Sequence, residues 1–392
     1  MVELPIGTQP LVLRGHVVDQ LRLLPAKSVQ CIVTSPPYYR QRSYQTPPQT
    51  WSDGWVGELG QEPTPEQYAL HLARDVGREL HRVLRDDGVY WLNIGDKYAD
   101  DGNLIGVPWL VTFALKAEGW VWRSSNVWAK AGGAKPEPAR NRTVVSHEEV
   151  LQFTKVRGGY FYDPEAVRTP YADATIREVG ENYKGVALKE YGEHGAEDPS
   201  EVKRSVIESL DPNRGSLLRS VWWVVKASYR EAHYAVFPPA IPKTCILAST
   251  SEKGSCPSCG ASWNRILRND RGFTDGVCNG CGGPKSKHMA DTGKSLLAAH
   301  PEIGKFSYNT TAEDGCVPCS NYVTLGWEPT CSCPASSPIP SLVLDPFAGS
   351  GTTLIVARSL GRRSIGIELS GTSVEIIENR DEVSQPSMSE VW

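Results

Sequence analysis

The stretch from Ser341 to Glu368 constrains the fold of this 392-residue chain more than any other. Ser341-Leu342-Val343-Leu344 is a short hydrophobic run of strand character, and Asp345-Pro346-Phe347-Ala348-Gly349-Ser350-Gly351-Thr352 is a turn of mostly small residues. An apolar helical pattern follows (Leu354, Ile355, Ala357, Leu360), closed by Gly361, and a second strand pattern runs from Arg363 to Leu369 with Glu368 near its end. Strand, glycine turn, helix and strand in that order open a nucleotide-binding α/β unit. There the glycines let backbone N–H groups approach a ligand, and an acidic residue at the next strand tip can accept from ribose hydroxyls. The turn has neither the Gly-x-Gly-x-x-Gly spacing of dinucleotide sites nor the lysine of a P-loop, so no phosphate need be cradled.

A second informative stretch lies toward the other end of the chain. Gln30 to Thr34 is largely β-branched and apolar and runs straight into Ser35-Pro36-Pro37-Tyr38. Two prolines cannot donate ladder hydrogen bonds and each holds φ near about −65°, so the backbone leaves the sheet stiffly with its carbonyls exposed. A nucleobase amine turned out of its stack needs acceptors for its two hydrogens and an aromatic face. Ser35 Oγ, the Pro36 carbonyl and the Tyr38 ring can supply all three. The plainer reading is that Pro-Pro ends a strand and Tyr38 is core.

Together the two stretches resemble the amino-methylating DNA methyltransferases. That family carries a Ser/Asp/Asn-Pro-Pro-Tyr/Phe/Trp catalytic motif and an Asp-Pro-Phe-x-Gly-Ser-Gly-Thr cofactor motif. Catalytic motif first and cofactor motif second is similar to the circularly permuted β class. The resemblance implies an α/β, Rossmann-like S-adenosylmethionine-dependent methyltransferase fold, circularly permuted. It implies Ser35, Pro36, Pro37 and Tyr38 as catalytic. It also implies Asp345, Pro346, Phe347, Ala348, Gly349, Ser350, Gly351, Thr352 and Glu368 as cofactor-binding, with Phe237 packing on the cofactor's methionine end. Serine in the first motif position accompanies cytosine N4 in such enzymes, and aspartate accompanies adenine N6. The expected reaction is therefore methyl transfer to the N4 amine of cytosine in double-stranded DNA, with adenine N6 as the alternative. The chemistry does not force the choice, since both amines offer two hydrogens beside a ring nitrogen. Where many relatives have Gly-Asp contacting the cofactor adenine, this chain has Gly15-His16, and that contact is not expected.

The remaining patterns fit parallel strands joined by helices. Leu11 to His16 reads as a strand, followed by a helical stretch (Val18, Leu21, Leu24) stopped by Pro25. Thr64 is placed as an N-cap, with Pro65 in the first turn and Gln67 positioned to close a capping box. The helix then presents Tyr68, Leu72, Val76, Leu80 and Val83 on one face, breaks at Gly88, and leads into a strand over Val89 to Ile94. Asp96 either caps the next loop or faces the cofactor. A further helix opens at Gly106-Val107-Pro108-Trp109, and Trp120 to Lys130 and His147 to Lys155 read as two strands. Trp128, Lys130, Arg142, His147 and Glu148 match a family pattern whose physical role the sequence does not give. The expected organisation is a catalytic half over residues 1–165, a target-recognition segment over 166–232 and a return to the core over 233–250. A cysteine-rich zinc-binding insert over 251–335 and a cofactor-binding half over 336–392 complete it.

The formal charge of −4 provides no global basic field, so DNA contact must come from local patches. The candidates are Arg40 and Arg42 in the loop after Tyr38, then Lys135, Arg140 and Arg142 in a proline-rich loop. Arg214, Arg219, Lys226 and Arg230, near Trp222, Trp223 and Tyr229, complete the set. In each case a solvated surface is the competing reading.

Eight of the ten cysteines are clustered, as Cys256/Cys259, Cys278/Cys281, Cys316/Cys319 and Cys331/Cys333. Three C-x-x-C knuckles and one C-x-C give the count for two closed tetrahedral zinc sites, with free thiols or a redox pair as the alternative. Spacing alone does not give the pairing. Relatives with a C-x-x-C-G and a downstream G-W-x-P-x-C-x-C imply that Cys256, Cys259, Cys331 and Cys333 share one zinc, leaving Cys278, Cys281, Cys316 and Cys319 for a second. Both sites would be structural, because four thiolates leave no open position for water.

No apolar run approaches the roughly 20 residues of a membrane span, and the first residues lack the pattern of a secretory leader. A cytoplasmic protein of a bacterial or phage-infected cell is expected, with double-stranded DNA as partner and no membrane. A separate restriction endonuclease and a homodimer are compatible with the resemblance. Cys31 lies inside a strand and no Pro-Cys nucleophile is visible in a comparable context, which argues against C5-cytosine chemistry. The rival readings are an RNA or protein methyltransferase and a non-catalytic zinc-containing DNA-binding protein.

Overall fold

The computed structural model describes residues 2–131, 141–169, 215–225, 238–269, 273–274, 277–278, 322–334 and 337–380. The chain divides into two compact units. Met1–Asp163, Arg219–Asn264 and Pro329–Trp392 form the first, and Pro164–Leu218 with Arg265–Glu328 form the second. Phe237, Lys135, Arg140, Arg214, Lys226, Arg230, Cys281, Cys316 and Cys319 lie outside the described residues, as does the side chain of Cys278.

The first unit is built on an eight-stranded sheet. Its strands are β1 (Leu11–Arg14), β2 (Val29–Thr34), β3 (Leu84–Ile94), β4 (Val121–Ala131), β5 (His147–Thr154), β6 (Val221–Val225), β7 (Leu342–Asp345) and β8 (Arg363–Glu368). Their order across the sheet is β1-β8-β7-β2-β3-β5-β4-β6. Only β5 runs against the others: β3 and β4 each pair with it antiparallel, while every other neighbouring pair is parallel. The central strands read as nearly continuous apolar runs because both of their faces are covered; every residue of β2 and β7 is buried.

Helices α1 (Val17–Leu23), α2 (Pro65–Leu70), α3 (Gly77–Val83) and α4 (Val107–Ala117) enclose one face. Their Leu21, Tyr68, Leu80 and Leu115 share a cluster with Ile32, Leu344, Ile365 and Ile367 of the strands. On the opposite face lies α6 (Thr352–Ser359), whose Leu354 packs over Gly366, a residue that points away from Ile365 and Ile367. Beside α6 sits α5 (Ala240–Ser249), with Ser249 accepting the indole hydrogen of Trp91. The last described helix is α7 (Gly371–Asn379). Among the described residues no helix is long and apolar enough to cross a membrane.

Two local expectations change. Thr64 does cap α2, its hydroxyl accepting from the Gln67 N–H, but the Gln67 side chain donates to Asp53 instead of closing a capping box. The long helix expected over Tyr68 to Val83 is broken by a π-helical turn over His71–Val76, and it ends at Val83, not at Gly88. Gly88 lies inside β3, where the β2 register shifts between Val29 and Cys31. A side chain there would strike the Gln30 carbonyl at 2.9 Å.

In the second unit, Thr169 and Ser216 exchange backbone hydrogen bonds of 3.0 and 2.8 Å. Arg168 joins Glu165 to the Gly215 carbonyl. The guanidinium of Arg265 lies 4.4 Å over the Trp327 ring.

Candidate active site and thiolate cluster

β2 and β7 are neighbours in the sheet, yet β2 connects onward toward β3 and β7 toward β8, on opposite sides of the pair. Such a reversal opens a crevice beyond the carboxyl ends of the strands, where α/β folds bind ligands. A cavity of about 450 Å³ occupies this place. Its lining includes Ser35, Pro36, Pro37 and Tyr38 from the end of β2. It also includes Pro346, Phe347, Ala348, Gly349, Ser350, Thr352 and Glu368 from the β7–α6 turn and the end of β8. Two sequence-distant motifs therefore face one space.

At the β8 side the half-buried Glu368 carboxylate accepts from the Gly349 and Ser370 N–H groups, each at 2.8 Å. Burial raises its pKa above the usual carboxylate range, against those two donors. Gly349 and Gly351 both have left-handed φ, +52° and +78°, a region costly for residues with a Cβ. Their surroundings differ. A side chain on Gly349 would point into open space, whereas one on Gly351 would meet Ile377 of α7 at 2.9 Å.

Asp345 and Gly351 are absent from the cavity lining, which changes their expected place. Both Asp345 oxygens are used within the protein: Oδ1 accepts from Thr34 Oγ1 and the Phe347 N–H, and Oδ2 from Thr353 Oγ1. Burial lifts this carboxyl to about 6 against those hydrogen bonds. Asp345 is a pin between β2, β7 and α6 beneath the site.

At the β2 side, Ser35 Oγ donates to the Tyr38 hydroxyl at 3.1 Å, and Tyr38 donates to Glu148 Oε2 at 2.7 Å. Lys130 Nζ donates to Glu148 Oε1 at 2.6 Å, and Asn93 Nδ2 lies 2.7 Å from the Tyr38 oxygen and 2.8 Å from Glu148 Oε2. Register explains the assembly. Asn93 is opposite Val150 and Trp128 is opposite Glu148, so alternation places Asn93, Glu148, Trp128 and Lys130 on one face. Because β5 runs backwards, its first residues lie at the same sheet edge as the last residues of β3 and β4. Burial, and next the Glu148 charge, hold the Tyr38 phenol well above its ordinary range.

The segment after Tyr38 folds back over the cavity, which Arg42 and Trp51 also line. Its anchor is the buried His71, stacked on Trp51 at 4.7 Å and Trp55 at 5.5 Å. Nδ1 lies 3.0 Å from Glu62 and Nε2 3.2 Å from Asp53. Burial disfavours the His71 charge, but the two carboxylates outweigh it and raise the pKa. Nothing in the sequence marks His71, Glu62 or Asn93 as site residues, since each sits in a run that reads as ordinary helix, loop or strand. Asp96 accepts from the Gly106 and Val107 N–H groups and so caps α4.

Among the described residues, the buried polar atoms without a hydrogen-bond partner include His16 Nε2, Asn93 Oδ1 and Thr352 Oγ1. All three residues line the cavity. Asn93 Oδ1 offers an acceptor there, and His16 Nε2 and Thr352 Oγ1 a donor or an acceptor, so a polar ligand could be held at these points. Of the expected DNA contacts, Arg42 reaches the cavity, while the Arg40 guanidinium donates to the Glu62 and Pro63 carbonyls. Arg142 lies over the Tyr98 ring, and the Arg219 carbonyl accepts from Trp222 at the edge strand β6.

The Sγ atoms of Cys256, Cys259, Cys331 and Cys333 all lie within 4.8 Å of one another. These four cysteines belong to the unit that carries the sheet. They sit at the opposite edge from the cavity. Gln30, near the start of β2, donates to the Gly260 carbonyl and accepts from the Leu342 N–H at the start of β7. Ser255 and Ile339 exchange backbone hydrogen bonds, and Arg85 of β3 donates to the Cys259 carbonyl.

A family model described as DNA methylase, N6_N4_Mtase, matches residues 29–256 and 334–379. The chain is similar to the type II methyltransferase M.XycI of Xanthomonas campestris pv. cyanopsidis, with 32% identity over 283 residues, 64% of this chain and 77% of that protein. M.SmaI of Serratia marcescens, also a type II methyltransferase, is 30% identical over 268 residues, 61% of this chain and 75% of the relative. Among solved structures, the cytosine-N4-specific PvuII DNA methyltransferase is similar in fold, with a TM-score of 0.50 at 13% identity over 98% of this chain and 93% of that one.

Proposed function

Because the chain belongs to the N6_N4_Mtase family of DNA methylases, we propose that it methylates the exocyclic N4 amine of cytosine in double-stranded DNA, using S-adenosylmethionine. The observation that carries this reading is the single cavity lined by both Ser35–Tyr38 and the Gly349/Glu368 cradle. When bound, the cofactor supplies an electrophilic methyl group. Glu368 would accept from its ribose hydroxyls, and Gly349 would admit it close to the backbone. The Pro36 carbonyl and Ser35 Oγ would accept the two amine hydrogens, drawing the nitrogen toward tetrahedral geometry and freeing its lone pair. Tyr38 would stack on the base, an interaction worth about 1–3 kcal/mol. Arg42, Arg142 and Arg219, with Lys135, Arg140, Arg214, Lys226 and Arg230, are proposed to contact the duplex. A companion restriction endonuclease and a homodimer belong to the same proposal.

Mass spectrometry of nucleosides from DNA treated with the protein tests the reading. N4-methylcytosine is the expected product. N6-methyladenine would move the substrate to the alternative base, and 5-methylcytosine would overturn the mechanism. Ser35→Ala should lose turnover while retaining cofactor binding.

The four clustered thiols are proposed to hold structural zinc. Zn–S bonds of about 2.3 Å place tetrahedral sulfurs roughly 3.8 Å apart, within the spread observed. The remaining knuckles, Cys278/Cys281 and Cys316/Cys319, are proposed to hold a second ion.

A further inference from the structure

Methylating a neutral amine leaves a proton to be removed, and the motif residues that touch the base do not by themselves say where it goes. The geometry points to Glu148, held by Lys130, as the positioning residue that takes this proton through Tyr38 and Ser35. This inference rests on the amino-methyltransferase reading above.

The polarity of the chain is set by its ends. Lys130 has only donors, so its 2.6 Å contact requires Glu148 Oε1 to accept. Asn93 Nδ2 donates both to the Tyr38 oxygen and to Glu148 Oε2. A phenol has one hydrogen and two acceptor positions. With Asn93 in one acceptor position and a carboxylate 2.7 Å away, the Tyr38 hydrogen points to Glu148 and its remaining acceptor position takes the Ser35 hydrogen. Ser35 then presents only lone pairs to the cavity. It is thereby fixed as an acceptor for the amine, although a free serine hydroxyl could equally donate.

The amine lone pair forms the new N–C bond while the pair of the breaking S–C bond returns to sulfur, leaving a thioether and a cationic N-methyl amine with two hydrogens. One of these passes as a proton to Ser35 Oγ. Ser35 gives its own proton to Tyr38, and Tyr38 gives its proton to Glu148 Oε2. The products are a neutral methylamine group, regenerated hydroxyls on Ser35 and Tyr38, and a carboxylic acid at Glu148, which later releases the proton to solvent. No tyrosinate forms, in keeping with a phenol that burial and the Glu148 charge hold protonated.

The test is rapid-quench single turnover with the full chain, saturating DNA and cofactor, in H2O and D2O. Calorimetric cofactor binding is measured on the same preparations. Glu148→Gln should slow methyl transfer by about 100-fold, the low end for a positioned proton acceptor, with cofactor affinity within about twofold of wild type. The normal solvent isotope effect of the wild type should be lost or altered, and Glu148→Asp should recover part of the rate. A Glu148→Gln rate within about threefold of wild type, or a rate loss matched by an equal loss of cofactor affinity, overturns the relay. If Glu148→Gln fails to fold, Tyr38→Phe keeps the ring and deletes only the link; a wild-type rate in that variant also overturns it. A wild-type chain that methylates no DNA amine would instead defeat the function reading, so the two failures are distinct.

Discussion

Thr34 Oγ1 donates to Asp345 Oδ1 at 2.6 Å, joining two residues 311 positions apart at the carboxyl ends of adjacent strands. The contact lies directly below the cavity, and through Thr353 it extends to the start of α6. Asp345 is buried, and burial raises its pKa to about 6. An unfolded aspartate titrates near about 3.9, so between about pH 4 and 6 the folded chain keeps a proton that the unfolded chain has lost. Stability should fall as pH rises through that window, by about 3 kcal/mol for a shift of about two units. Asp345→Asn should remove this component. Urea unfolding at successive pH values would show it as a flatter profile, and identical slopes in the two proteins would refute the assignment.

The two glycines of the β7–α6 turn should separate binding from folding. Gly351→Ala places a Cβ against Ile377 in a left-handed conformation and should cost about 1–3 kcal/mol of stability. Gly349→Leu projects into open space. It should lose about 1–2 kcal/mol from its backbone conformation but abolish cofactor binding. Thermal unfolding paired with calorimetry distinguishes them; unchanged cofactor affinity in Gly349→Leu would contradict the cradle.

Removing metal should weaken the sheet itself. The cysteine cluster is tied through Gln30 to the first residues of both β2 and β7, and a bound metal adds its binding free energy to folding. Chelation should lower the melting temperature of the sheet-bearing unit, and Cys259→Ser should do the same without chelator. Metal analysis of unchelated protein giving less than about one zinc per chain would exclude even one closed site.

His71 predicts a dependence of the same sign in a higher pH window. Its carboxylate partners raise its pKa, so its contribution is complete below the ordinary histidine value of about 6.5 and disappears as pH rises through the folded value. His71→Phe should therefore be most destabilising at mildly acidic pH. A constant difference from wild type between about pH 6 and 9 would show that the imidazole is not charged in the fold.

The sequence was most readable where chemistry and backbone conformation coincide. Prolines after β2 and glycines after β7 announce strand ends, and the parallel architecture follows from alternating strand and helix patterns. Glu148 and Lys130 were visible as residues but not as a pair, because their meeting depends on the antiparallel register of β4 and β5. Asn93 was hidden altogether within an apolar run, Val89 to Ile94. Gly88 differs for a similar reason: glycine is a good helix terminator, but here it serves the close approach of β2 and β3. Asp345 belongs to a ligand motif by position, yet its oxygens are consumed by hydroxyls and an N–H group that only folding brings near.

The placement of β1 has a consequence for biosynthesis. Among the described residues its only partner in the sheet is β8, so a ribosome releases the first strand long before the strand that will pair with it. Throughout that interval the edges of β1 and β2 are open templates for unintended pairing. The crevice cannot assemble until residues 342–368 have been made, which ties activity to full synthesis of both strand groups. The same arrangement makes the chain a candidate for division into two separately expressed fragments. Divided between α5 and β7, each piece would supply one wall of the cavity, and activity would return only when they associate.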